Sequence, residues 1–123
     1  MENQAVLVDL NERMFEYTRQ IESKFLTVKE SGVKGDFFKE VKPFADEVQE
    51  ISERWRKEAT IWIMKTRPRN LNENQIDSAA EQIEMISVQS FFPETSRTRF
   101  INYLQSVRFV LTLLQSSMEK YEN

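Results

Sequence analysis

Apolar residues recur along this chain in steps of three and four, the spacing that keeps one face of an α-helix turned inward. Leu7, Leu10, Met14, Tyr17, Ile21, Phe25 and Val28 form the first such stripe and predict a helix over residues 3–31. Gly32 and Gly35 end it. A second stripe, Phe37, Val41, Phe44, Val48, Ile51, Trp55, Ala59 and Trp62, follows Asp36, whose carboxylate can cap the first turn. Pro43 complicates that start, because it has no N–H to give. Either a short turn covers 36–41 and the long helix begins near Pro43, or one helix bends there; the bent helix is the expectation.

The third segment opens at Asn72, with Gln75 three residues on as a capping box, and carries Ile76, Ala79, Ala80, Ile83 and Ile86 to a stop near Ser90. Thr95 or Ser96 caps the last helix, whose stripe is Phe100, Leu104, Val107, Leu111, Leu114 and Met118. Pro68 and Pro93 lie in the two remaining breaks, and no segment alternates with the period of a strand. Four long helices with short connections predict an all-α fold, an antiparallel up-down-up-down four-helix bundle in which residues 1–123 form a single domain.

The segments GDFFKEVKPFADEVQEISERW and SFFPETSRTRFINYLQSVRF, set in this four-helix layout, resemble the YppE-like family of small uncharacterised four-helix-bundle proteins from Gram-positive bacteria. The likeness spans nearly the whole chain. It implies a helical bundle in a bacterial cytoplasm and brings no catalytic or binding residue to carry over.

Composition then removes chemistry. The 123 residues include no histidine and no cysteine. Imidazole catalysis, thiolate nucleophiles, iron–sulfur clusters and the usual zinc sites are excluded with them. With 17 basic and 20 acidic residues, a net charge of −3 and a mean hydropathy of −0.57, the surface reads as that of an ordinary soluble protein. Nucleic acid is not an expected partner at that charge. No apolar run nears the length of a membrane span, and the acidic start MENQAVLVDLNER lacks the features of a secretory signal. The expected location is cytoplasmic, with no membrane partner and no cofactor.

Two sets of acids could still carry chemistry. Glu50 and Glu53 lie one turn apart on the second helix, and Glu81 and Glu84 on the third, a spacing similar to that of the all-α nucleotide pyrophosphohydrolases, where such pairs hold Mg²⁺. Geometry weighs against this enzyme reading: Glu53 falls roughly 200° from Ile51, and Glu81 roughly 200° from Ala79, so both should face solvent. The last acid is also Glu84 where that family usually has Asp. The plainer reading is solvated faces laced by Glu50–Arg54 and Glu53–Lys57 pairs. Basic residues give no better site, since Arg67 and Arg69 belong to one end of the bundle and Arg97 and Arg99 to the other. Arg108, flanking the core stripe of the last helix, should lay its stem on apolar surface and reach water or an acid.

The stronger clue is an excess of apolar side chains. Ten of the fifteen positions from Phe100 to Leu114 are apolar, more than one bundle-facing stripe requires, and Phe109 with Leu113 makes a second stripe. Ile61, Trp62, Ile63 and Met64 end the second helix, near Val6, Leu7 and Val8 at the start of the first. Either the bundle has a wide core with Trp55 and Trp62 as fillers, or Trp62, Phe109 and Leu113 are contacts for another protein or a second copy. The functional expectation is a non-enzymatic protein-interaction or accessory module, with no catalytic, cofactor-binding or metal-binding residue assigned.

Overall fold

The computed structural model describes residues 2–122 and contains four α-helices: α1 (Glu2–Ser31), α2 (Lys42–Thr66), α3 (Glu73–Gln89) and α4 (Arg97–Glu122). The apolar stripes of the four helices face one another. Leu7, Leu10, Met14, Ile21 and Phe25 of α1 meet Trp55 of α2, Ile76 and Ile83 of α3, and Phe100, Leu104 and Leu111 of α4 in one continuous buried core. At that depth, truncating Trp55 or Phe25 to alanine would cost about 3 to 5 kcal/mol.

Bonds between helices fix their directions. Gln4, Asn11 and Thr18 of α1 reach Met118, Leu111 and Arg108 of α4, so the numbering climbs on one helix as it falls on the other. Gln4 and Asn11 likewise meet Trp62 and Trp55 of α2. Between α2 and α3, Ser52 and Arg56 pair with Ala80 and Asp77. Three antiparallel registers in a ring of four helices leave α3 and α4 antiparallel as well, which is the up-down-up-down order.

Local chemistry ends the helices much as the pattern predicts. Gly32 adopts φ +70° and its N–H returns to the Val28 carbonyl at 2.8 Å, a left-handed C-terminal cap that glycine permits without strain. Asn72 and Gln75 form the reciprocal capping box, with bonds of 3.1 and 2.9 Å. Ser96, rather than Thr95, caps α4 by accepting the Arg99 N–H, while the Thr95 hydroxyl closes the preceding loop on the Gln89 carbonyl.

At Pro43 the two readings of the sequence merge. Phe37–Val41 form a π-helical turn that runs straight into α2, with Pro43 in its first turn. The N–H groups of Val41 and Lys42 reach back five residues, to Asp36 and Phe37. A proline ring would press on the carbonyl four residues before it in a regular α-helix, and the wider turn relieves that conflict. Asp36 caps this turn from the Lys39 N–H at 2.8 Å, and Glu40 returns to the Asp36 N–H at 2.8 Å. The turn corrects one assignment. Phe37, expected in the core stripe, is 54% exposed. Gly35 already fills the space over Phe91 at that end, where an added Cβ would lie 2.6 Å from the ring.

Candidate functional site

The interior holds a polar ladder as well as apolar layers. The Trp55 indole donates to Asn11 Oδ1 at 2.9 Å, and Asn11 Nδ2 donates to the Leu111 carbonyl at 3.0 Å. Seven residues along each helix the motif repeats: Trp62 donates to Gln4 Oε1 at 2.9 Å, and Gln4 Nε2 donates to the Met118 carbonyl at 3.2 Å. An indole can only donate and a carbonyl can only accept, so the residue between them must accept at one end and donate at the other, which a side-chain amide does with two separate atoms. A third rung, seven residues after Asn11, is Thr18, whose hydroxyl donates to the Phe15 carbonyl and accepts from Arg108 Nε at 3.1 Å. Arg108 also bonds Glu22 at 3.0 Å, so its guanidinium reaches an acid over an apolar flank as its position predicts.

This ladder decides the place of Trp62. Only 6% of it is exposed, its polar atom is satisfied by Gln4, and its ring meets Tyr121 edge-on at 5.9 Å. It packs as a core filler and keeps only an edge at the surface, in the cleft it lines with Thr66 and Tyr121, too little for a principal protein contact. Leu113 is half-buried against the core, as are Ile101 and Tyr103, so much of the apolar excess on α4 is absorbed. Phe109 is not: it points away from the bundle axis and remains 61% exposed.

The opposite end carries an apolar pair that pattern reading missed. Phe37 and Phe38 stand in the π-helical turn with ring centroids 5.1 Å apart, and Phe38 is 78% exposed. A signal was present in the sequence. Consecutive helical residues point about 100° apart, so two adjacent phenylalanines cannot both enter a narrow core. Val33, in the loop before them, is exposed too.

Of the four acids weighed as a metal set, the structure brings together Glu53 and Glu84. Glu50, Glu53 and Glu81 are exposed, and no group of three or more acids positioned to hold a metal ion occurs among the described residues. The expected Glu50–Arg54 and Glu53–Lys57 pairs are absent from those residues as well. Arg56 instead spans the α2–α3 seam, bonding Asp77 at 2.9 Å and approaching Glu53 at 3.7 Å. Glu84 Oε2 is closed off from solvent with no hydrogen-bond partner among the described residues. Loss of water around Glu84, reinforced by the hydrogen-bonding reach and charge of Glu53, pushes its pKa up to about 7 against the weaker opposing pull of Ser52 and Arg56. The pair can hold a proton near neutrality, and a lone carboxyl pair is a poor cage for Mg²⁺ without further ligands.

No helix among the described residues is long and apolar enough to cross a membrane. Comparison with known proteins bears on the fold. An uncharacterised protein, YppE, from Bacillus subtilis is 24% identical over 117 residues, covering 95% of each chain. A crystal structure from Listeria innocua superposes with a TM-score of 0.92 over 98% of this chain and 96% of that one, at 24% identity. One from Staphylococcus aureus does so with a TM-score of 0.85 over 93% and 96%, also at 24% identity. Residues 11–118 match the bacterial domain of unknown function DUF1798, and the chain belongs to that family.

Proposed function

We propose that this protein is a non-enzymatic interaction module of the bacterial cytoplasm, which holds another protein or a second copy of itself through aromatic side chains left outside a finished core. One observation carries the reading: Phe37, Phe38 and Phe109 stay more than half exposed, as does Tyr121 beside Trp62, on a bundle whose other phenylalanines and both tryptophans are packed inside or along its flanks. Exposed aromatics of this kind are overrepresented among residues that anchor protein contacts. The net charge of −3 favours a protein partner over nucleic acid or an anionic membrane. The enzyme alternative, Mg²⁺-dependent nucleotide hydrolysis by Glu50, Glu53, Glu81 and Glu84, is the weaker reading because the acids do not converge.

Sedimentation at high micromolar concentration, followed by affinity capture from a Gram-positive cell extract, tests this. Wild type should either self-associate or retain a protein that the folded variants Phe109→Asp/Leu113→Asp or Phe37→Ser/Phe38→Ser lose. A monomer whose bound proteins are recovered equally by wild type and both variants contradicts the proposal. Turnover of a nucleoside triphosphate with Mg²⁺, abolished by Glu53→Gln/Glu84→Gln, would replace it with the enzyme alternative.

A further inference from the structure

Two sets of cations in this chain are held in place in different ways. Arg19, Lys42, Arg56 and Arg108 each bond a carboxylate. Around the end of the bundle where α1 stops and α4 starts, Lys24, Lys29, Lys34 and Arg97 instead lie over phenylalanine rings, and none of them forms an ion pair among the described residues. Ring contacts hold such cations in place without neutralising them. Lys24 is the most constrained, 4.9 Å from the Phe44 centroid and 5.1 Å from that of Phe91.

Two of these lysines share a groove. Lys24 and Lys34 line an open cleft of about 440 Å³ between α1 and the loop that follows it, with Phe91 on its wall. Ser23, Thr27 and Ser31 enter the same cleft, four residues apart on one line of α1. The Ser31 oxygen accepts the Val33 N–H at 3.1 Å, which leaves its hydrogen free to donate. Glu40 is the acid among the lining residues, and its Oε1 is engaged by the Asp36 N–H at 2.8 Å. The loop that carries Lys34 is pinned by the Gly35 N–H on the Phe91 carbonyl at 2.9 Å and by ring contact that leaves no room for a side chain at Gly35.

We propose that this cleft binds a small molecule bearing a phosphate or carboxylate group, with Lys24 and Lys34 supplying the charge and Ser23, Thr27 and Ser31 the neutral donors. Two cations and three hydroxyls lining one cleft of ligand size outnumber its single acid, Glu40, and such a donor-rich lining favours an anionic group over a neutral or cationic one. The cleft is separate from Phe109 and shares Gly35 and Glu40 with the segment that carries Phe37 and Phe38, but an anion held there requires no protein partner.

The test is a titration of the isotope-labelled full chain by NMR at constant ionic strength, with inorganic phosphate in one series and succinate in the other. Saturable shifts at the amides of Thr27, Ser31, Lys34 and Gly35 are the expected result, and the series that saturates at lower concentration identifies the anion. Lys24→Gln/Lys34→Gln should weaken binding at least about tenfold, the loss of two charge-assisted hydrogen bonds. Lys34→Gln alone, which leaves the Phe44 and Phe91 packing intact, should weaken it less, and Lys57→Gln on α2 should leave it unchanged. Shifts that grow linearly without saturating in both series, or a binding curve unmoved by Lys34→Gln, would overturn the assignment.

Discussion

Two polar seams run through this bundle, and they are built on opposite terms. Between α1, α2 and α4, Trp55–Asn11–Leu111 and Trp62–Gln4–Met118 form neutral chains in which each donor meets an acceptor. Between α2 and α3, Glu53 and Glu84 put two acids side by side and leave one oxygen of Glu84 sealed from water without a partner. Buried polar groups cost little when fully paired and a good deal when one partner is missing. The first seam is therefore a fixed part of the scaffold that sets helix register. The second is conditional on a proton.

Breaking the first seam should give the largest effect. Asn11→Leu strands both the Trp55 indole N–H and one lone pair of the Leu111 carbonyl, and should cost about 2 to 4 kcal/mol in chemical denaturation. Adding Trp55→Phe to that variant should cost less than the two separate losses sum to, because the stranded donor goes with it. Gln4→Leu breaks the equivalent rung nearer the end of the bundle, where water can reach the freed groups, and should cost about 1 to 2 kcal/mol.

The second seam should respond to pH instead. The folded-state pKa of Glu84 lies above its ordinary value of 4.5, at about 7, so its contribution to stability is complete below about pH 4.5 and is lost as pH rises through 7. Glu84→Gln should raise the thermal midpoint at pH 8 by a few degrees relative to wild type, change it little at pH 4.5, and flatten the profile between. A wild-type profile parallel to that of the variant would show that the seam holds no proton. The smallest change is expected at Arg108→Met, which removes a half-exposed bond to Glu22 while keeping the apolar stem, and should cost about 0.5 to 1 kcal/mol.

The fold was legible in the sequence because its determinants are local and repeated. The stripes from Leu7 to Val28 and from Phe100 to Met118, the Asn72 capping box and the glycine stop at Gly32 each declare themselves within one helical turn. What escaped pattern reading depends on groups far apart in the chain. Gln4, Asn11 and Thr18 recur every seven residues and alternate with Leu7, Met14 and Ile21 on the core face, a polar interruption of the stripe that only the distant tryptophans and Arg108 explain. Trp62 looked available as a contact because its partner Gln4 lies 58 residues away. The exposed Phe37 and Phe38 depend on how Pro43 widens the preceding turn. Of the residues taken as contacts, Phe109 alone stands well clear of the core, since side-chain direction on α4 follows from helix periodicity but the depth of burial follows from the neighbours.

The claim that the chain works through its outward aromatics can be tested most directly by placing a photoreactive phenylalanine analogue at Phe38, at Phe109 and, as a control on the polar face of α3, at Glu81, and irradiating cells that make each version. Covalent protein adducts at Phe38 or Phe109 well above those at Glu81 are the predicted result. Adducts no more frequent at either aromatic position than at Glu81 would contradict it.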